Sequence, residues 1–164
     1  MKQIRNGIFE TNSSSTHAIC ITDYGLSVID IPETLKAECC EYGWENAVLT
    51  SPAEKLSYLY AAIYDLYDEY DRNKMLNDIY HTLLSMGCEC EFDEPEKGYW
   101  GYAEIGIDHA YDLRDFVNAV MHSESRLKRY LFSPDSYVVT GNDNGYLEVD
   151  IDEDYPHEEY YKGN

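Results

Sequence analysis

The stretch that decides the fold is residues 51–86, which read SPAEKLSYLYAAIYDLYDEYDRNKMLNDIYHTLLSM. Ser51, Pro52 and Glu54 combine a helix N-cap residue, a proline at the first helical position and a glutamate placed to complete a capping box. Apolar residues then recur at steps of three and four, the period of a helix with one buried face. These apolar positions are Leu56, Leu59, Tyr60, Ile63, Leu66, Tyr67 and Tyr70. We therefore predict a helix that begins after Ser51.

The same stretch predicts a second helix. The apolar pattern breaks at residues 71–73 and restarts at Met75, Leu76, Ile79, Tyr80, Leu83 and Leu84. Gly87 follows as a residue that can end the helix. Two helices joined by a short break form a helical hairpin. The residues predicted to face water on the first helix and the break are Asp65, Asp68, Glu69 and Asp71, so one side of the hairpin is strongly negative.

Shorter elements flank this hairpin. Strands are predicted at residues 18–23, 26–31, 88–92, 99–107, 136–140 and 146–151, and a short helix at residues 32–40. Residues 111–130 return to a helical period, and Ser123 is placed to cap a second helix there. Strands and helices do not alternate regularly, so the prediction is an α+β fold with a mostly antiparallel sheet and two helical hairpins. Residues 1–151 are predicted as one domain and residues 152–164 as an acidic, tyrosine-rich tail.

The composition restricts the possible partners. Of 164 residues, 32 are acidic and 12 basic, which gives a net charge of −20, while an aromatic content of 14% is too high for an acidic disordered chain. This charge repels nucleic acid and anionic membranes, so we expect no direct nucleic-acid binding, no membrane association and a basic protein partner. The chain contains five cysteines, an odd number, and no secretory signal peptide is recognisable. We therefore expect a reducing cytoplasm.

Residues 5–21 form a second unusual stretch. Six hydroxyl or amide side chains, residues 11–16, lie between the apolar pair at residues 8–9 and the apolar run at residues 18–21. Polar loops that are held at both ends in this way often bind ligands. Candidate catalytic residues for a nucleotide or phosphorylated substrate are Arg5, Glu10, Ser13, Ser14, Ser15 and His17. Neighbouring residues on an extended segment point to different faces, so His17 need not reach any of these hydroxyls. The alternative is that the polar side chains cap turns of their own backbone.

The run Phe-Glu-Thr-Asn-Ser-Ser-Ser-Thr-His at residues 9–17 resembles the start of a group of small uncharacterised proteins of Gram-positive bacteria and their phages. The resemblance covers residues 5–21 and brings no activity with it. What it implies is an origin in a phage or another mobile element, where short acidic proteins often act on host machinery.

Metal and cofactor sites are not indicated by the sequence. Cys88 and Cys90 are separated by one residue, whereas paired zinc ligands usually have the spacing Cys-x2-Cys or His-x3-His, and neither spacing occurs. On a strand both cysteines face the same side as Phe92, which is typical of core residues. The chain contains no phosphate-binding loop and no dinucleotide-binding turn. We therefore predict no metal and no cofactor.

The uneven distribution of acidic residues suggests a function. Residues 51–100 contain eleven acidic and four basic residues, and residues 142–164 contain eight and one. The candidate partner-binding residues are Asp65, Asp68, Glu69, Asp71, Glu89 and Glu91. The hypothesis is a phage or mobile-element protein that mimics nucleic acid and inhibits a basic host protein, with a CRISPR-type nuclease as the first suspect. The alternatives are an enzyme acting through residues 5–17, an acidic interaction module without mimicry, and a surface that only keeps the protein soluble.

Overall fold

The secondary structure follows from a computed structural model that describes residues 15–22, 30–43, 46–98, 103–108, 110–142 and 158–163. The elements are β1 (Ser15–Thr22), β2 (Thr34–Ala37), β3 (Glu41–Tyr42), β4 (Ala47–Leu49), α1 (Pro52–Leu66), α2 (Glu69–Ser85), β5 (Glu89–Phe92), β6 (Gly106–Ile107), α3 (Arg114–Met121), α4 (Glu124–Phe132), β7 (Tyr137–Asn142) and β8 (Glu158–Gly163). A 3-10 turn, Ala110–Leu113, precedes α3. The predicted α+β class is confirmed.

The largest sheet has the strand order β4-β7-β1-β8, and all its pairings are antiparallel. The central strand β1 places Ala18 opposite Val139 of β7 and opposite Lys162 of β8. Ile19 and Ile21 of β1 are fully buried. A strand paired on both sides has no free edge, so β-branched apolar residues suit this position.

The helical hairpin begins where the sequence predicts. The Ser51 hydroxyl accepts a hydrogen bond from the Glu54 N–H at 3.3 Å, and the Glu54 carboxylate accepts one from the Ser51 N–H at 2.9 Å. Both halves of the capping box are therefore present. Leu56, Leu59 and Ile63 are fully buried, as predicted.

The break between the two helices was predicted at residues 71–73, and this position is wrong. Helix α1 ends at Leu66, and Asp68 caps α2, because its carboxylate accepts a hydrogen bond from the Asp71 N–H at 3.0 Å. Aspartate is a strong N-cap residue, and this capping outweighs the continued apolar spacing that includes Tyr70. As a result Tyr70 belongs to α2 and is 80% exposed instead of lying on the buried face of α1.

The short helix predicted at residues 32–40 is also wrong, because residues 34–37 form β2. This strand pairs in parallel with β5, with Leu35 opposite Cys90. Leu35 and Ala37 are buried, and Thr34 and Lys36 are exposed. This alternation is the period of a strand, and pairing with a distant strand outweighs the local preference for helix. A second parallel pair joins β3 to β6.

The second pair of helices agrees with the prediction. The Ser123 hydroxyl accepts a hydrogen bond from the Arg126 N–H at 3.3 Å and so caps α4. Leu127 and Leu131 form the buried face of α4. The Phe116 ring of α3 contacts the Tyr130 ring of α4, with a centroid distance of 5.1 Å.

The limits of the described residues bear on four predictions. The predicted strand at residues 146–151 and most of the one at residues 26–31 lie outside the described residues. Residues 158–163, predicted as part of a tail, form β8 and pair with β1, so this part of the segment belongs to the sheet. The domain boundary at residue 151 is not described and stays a prediction.

Candidate functional site

A cleft of about 500 Å³ opens where β2 and β5 end. We call it the first cleft, and it is lined by Glu38, Cys39, Asp93, Glu94, Glu96 and Glu104. Five of these six side chains are carboxylates, contributed by three separate segments of the chain. The parallel pairing of β2 with β5 places the residues that follow each strand side by side, and this brings Glu38 next to Asp93.

Helix α1 holds the floor of the first cleft. The Ser57 hydroxyl accepts a hydrogen bond from the Glu38 N–H at 2.9 Å, and the Tyr60 hydroxyl donates one to the Asp93 carbonyl at 2.8 Å. The Cys39 thiol lies 3.5 Å from the same carbonyl. Because these contacts use backbone groups, they fix the position of the lining segments and leave the carboxylates facing outward.

The charge of the first cleft is only partly compensated. Lys36 forms an ion pair with Asp93 at 2.9 Å, and its hydrogen bond to that carboxylate raises the pKa of the lysine. Within the described part of the chain, the other four carboxylates of the cleft form no ion pair. Burial, followed by the charge of Asp93, raises the pKa of Cys39. The thiol is therefore protonated at neutral pH, which does not suit a nucleophile.

A second cleft, of about 260 Å³, lies beside the first. It is lined by Glu41, Tyr42, Asp65, Gly106, Ile107 and Asp108. The two clefts are neighbours because segments 38–42 and 104–108 contribute residues to both, joined by the β3–β6 pairing.

Asp65 connects the second cleft to α1. Its carboxylate accepts a hydrogen bond from the Ile107 N–H. Gly106 makes this approach possible, because a Cβ atom there would lie 2.9 Å from the Asp65 carboxylate. Although part of the side chain is exposed, burial of the carboxylate raises the pKa of Asp65 above its ordinary value, against the effect of the hydrogen bond.

The junction between α1 and α2 adds three more exposed carboxylates, those of Asp68, Glu69 and Asp71. Asp65 lies one helical turn before this junction. We call the carboxylates of the two clefts and the junction the acidic band: Glu38, Glu41, Asp65, Asp68, Glu69, Asp71, Asp93, Glu94, Glu96, Glu104 and Asp108. Glu89 and Glu91 lie on the exposed face of β5, whose next outward residue is Asp93 of the first cleft. Of the six predicted partner-binding residues, Asp65 lines the second cleft, Asp68, Glu69 and Asp71 lie at the junction, and Glu89 and Glu91 lie on β5. Their role in binding a partner stays a prediction.

Seven members of the acidic band line the clefts but were not among the predicted partner-binding residues: Glu38, Glu41, Asp93, Glu94, Glu96, Glu104 and Asp108. The signal in the sequence was the acidic run at residues 93–96, which lies between the predicted strands at residues 88–92 and 99–107. Two of the predicted partner-binding residues also have structural roles. Asp65 holds β6, and Asp68 caps α2.

The candidate catalytic residues are only partly described. Arg5, Glu10, Ser13 and Ser14 lie outside the described residues, and Ser15 is described only as the first residue of β1. His17 is fully buried in β1, where its Nε2 lies 3.0 Å from the Asp108 carbonyl oxygen. These contacts give His17 a place in the core beneath the second cleft, and its catalytic role stays a prediction.

Among the described residues, no three His, Cys, Asp or Glu side chains are grouped so that they could hold a metal ion. All five cysteines are free thiols. No helix in the described part of the chain has the length and apolar character needed to cross a membrane.

Comparisons of the chain with protein-family models, curated proteins and solved structures found no match.

Proposed function

We propose that the protein binds a basic, nucleic-acid-handling protein of a host cell through the acidic band and inhibits it by occupying its phosphate-binding positions. The observation that carries the proposal is the gathering of eight carboxylates around two adjoining concave clefts. A concave surface of one charge sign focuses its electric field and attracts opposite charge more strongly than a flat surface does.

The geometry favours a binding surface over a surface that only provides solubility. Charges that only keep a protein soluble need no particular arrangement. Here Glu38, Glu94 and Glu104 come from three segments that converge on one cleft, and none of them has an ion-pair partner among the described residues. Lysine and arginine side chains of a partner can supply the missing positive charges, as they do for phosphates in nucleic-acid-binding proteins.

The resemblance of residues 9–17 to phage and Gram-positive proteins supports a setting inside a host cell, in its cytoplasm. A phage or mobile-element protein in this setting gains from blocking a defence nuclease, so a CRISPR-type nuclease is the first partner to test. Direct binding to nucleic acid is not part of the proposal, because a net charge of −20 repels it.

The test compares two charge-reversed double variants with the wild type. Glu94→Lys with Glu96→Lys changes the first cleft, and Asp78→Lys with Asp135→Lys makes an equal change of charge at exposed positions outside the acidic band. Cleavage of a target DNA by a CRISPR-type nuclease is measured with increasing amounts of each protein. We expect inhibition by the wild type and the control, at least about tenfold weaker inhibition by the cleft variant, and loss of inhibition as salt rises.

Competition with DNA distinguishes mimicry from other binding. If the protein occupies phosphate-binding positions, excess duplex DNA displaces it from the nuclease. Binding that DNA does not reduce indicates an acidic interaction module without mimicry. Equal inhibition by the two double variants contradicts the proposal, because the clefts then contribute no more than other surface charge.

A further inference from the structure

Two buried hydroxyl groups of α1 hold the segments that line the first cleft. Ser57 and Tyr60 are three residues apart, so they lie on the same face of the helix, and each is only 4% exposed. The Ser57 hydroxyl accepts a hydrogen bond from the Glu38 N–H and donates one to the Ala53 carbonyl at 2.9 Å, which orients it. The Tyr60 hydroxyl donates to the Asp93 carbonyl. One face of α1 therefore fixes the ends of both β2 and β5, where the first cleft opens.

The Tyr60 ring makes a second contact with β5. It packs edge-on against the ring of Phe92, the last residue of the strand, with a centroid distance of 5.2 Å. Burial raises the pKa of Tyr60 to about 12, so its hydroxyl keeps its proton and remains a donor at neutral pH. The Cys39 thiol, which follows β2, reaches the same Asp93 carbonyl at 3.5 Å. The contacts of Tyr60 therefore involve both sides of the cleft.

The five carboxylates of the first cleft do not set their own spacing. Because they carry the same charge, they repel one another and push the lining segments apart. The ion pair of Lys36 with Asp93 crosses between these segments, but both side chains are exposed, and exposed ion pairs contribute little. The buried hydrogen bonds to Ser57 and Tyr60 therefore oppose a repulsion that the surface ion pair does not balance.

We propose that Ser57 and Tyr60 are positioning residues that determine the specificity of the first cleft, because they hold its carboxylates at the spacing of the basic groups in a folded phosphate-binding site. This inference rests on the proposed function, since it assigns the selectivity of the same acidic band. A flexible polycation adapts to any spacing of carboxylates, whereas the basic residues of a folded nuclease have fixed positions. Loss of either hydroxyl therefore weakens binding of the nuclease more than binding of the polycation.

The test uses Tyr60→Phe, which keeps the ring, Ser57→Ala, and Tyr130→Phe as a matched control. The Tyr130 hydroxyl also belongs to a buried tyrosine and donates to a backbone carbonyl, that of Lys55 at 2.7 Å, but Tyr130 lines neither cleft. None of the three substitutions changes the charge of the protein. For each full-length variant we measure inhibition of the CRISPR-type nuclease, affinity for poly-L-lysine by isothermal titration calorimetry, and the melting temperature.

We expect Tyr60→Phe and Ser57→Ala to weaken inhibition of the nuclease by about three- to tenfold and to change the affinity for polylysine by less than about twofold. Tyr130→Phe should lower the melting temperature about as much as Tyr60→Phe does, because it removes the same kind of hydrogen bond, and should inhibit as the wild type does. Equal losses of inhibition in all three variants identify destabilisation as the cause and overturn the positioning role. Equal weakening of nuclease and polylysine binding also overturns it.

The charge-reversed variant of the first cleft separates this inference from the proposed function. If Tyr60→Phe and Ser57→Ala inhibit as the wild type does while Glu94→Lys with Glu96→Lys loses inhibition, the positioning role is overturned and the proposed function stands. If the wild type does not inhibit the nuclease, both proposals are contradicted.

Discussion

At the scale of single residues, Lys55 is the clearest departure from what the sequence indicates. It follows the N-terminal capping box of α1, yet only 1% of its surface is exposed. Its ammonium group donates hydrogen bonds to the carbonyls of Ser133 and Ser136 at 3.1 and 3.0 Å. Burial lowers the pKa of Lys55 from 10.5 to about 8. A neutral amine still has two N–H groups, so both hydrogen bonds survive deprotonation.

This pKa predicts a pH dependence of stability. Between about pH 8 and pH 10.5 Lys55 is neutral in the folded chain and protonated in the unfolded chain, so the unfolded state binds more protons and stability rises with pH. Lys55→Met removes this titration. We expect the free energy of unfolding of the wild type, measured relative to the variant by urea denaturation, to rise by on the order of 2 kcal/mol from pH 7.5 to pH 10. A difference that stays constant over this range shows that the lysine titrates at its ordinary pKa.

At the scale of elements, the two helices of the hairpin offer a matched pair of leucines. The apolar spacing placed both Leu59 and Leu84 on buried faces, but Leu59 is fully buried and Leu84 is 44% exposed. We expect Leu59→Ala to cost about 2–5 kcal/mol in thermal or urea unfolding, because it leaves a cavity. Leu84→Ala should cost less than about 0.5 kcal/mol, as surface substitutions do. Similar losses for both variants are incompatible with this orientation of α2.

Local signals predicted the elements that depend on neighbouring residues. The capping box at Ser51 and the cap at Ser123 act within one turn of helix, so they are visible in sequence and these two helix starts were correct, whereas the equally local cap at Asp68 was missed. Strand β2 could not be found in this way. Its four residues are held by pairing with β5, more than fifty residues away, and nothing in the segment itself specifies that partner.

The same limit applies to the candidate site. The sequence shows that residues 93–96 are acidic, but not that Glu38 and Glu104 face them across a cleft. That arrangement depends on the parallel registers of β2 with β5 and of β3 with β6, in which Ala37 is opposite Phe92 and Glu41 is opposite Gly106. The sequence therefore indicated the acidic residues of α1 and α2 but not the two clefts.

At the scale of the whole molecule, the carboxylates that produce the net charge of −20 do not all destabilise the folded state to the same extent. Carboxylates that converge on a cleft repel one another at short range, whereas scattered exposed charges are separated by water and screened. The first cleft holds five carboxylates with Lys36 as the ion-pair partner of one of them. A basic partner would relieve this repulsion, so the free protein should be less stable than its core alone permits.

The double variants of the functional test also measure this repulsion. Between about 0.01 M and 1 M NaCl the Debye length falls from about 30 Å to about 3 Å, so we expect the melting temperature of the wild type to rise with salt. At low salt, Glu94→Lys with Glu96→Lys should raise the melting temperature by roughly 2–4 °C and flatten its salt dependence. Asp78→Lys with Asp135→Lys should have a smaller effect, although it changes the net charge equally.

Measuring both the melting temperature and the inhibition of the same proteins then distinguishes a surface that serves solubility from a surface that binds a partner. A surface that serves only solubility predicts that both double variants gain the same stability and keep the same inhibition. A binding surface predicts that the cleft variant gains more stability than the control and is the one that loses inhibition, because functional sites often keep interactions that are unfavourable until the partner arrives. Equal shifts of melting temperature in the two variants would contradict the expected repulsion within the first cleft, and inhibition would then be the property left to distinguish the cleft from other surface charge.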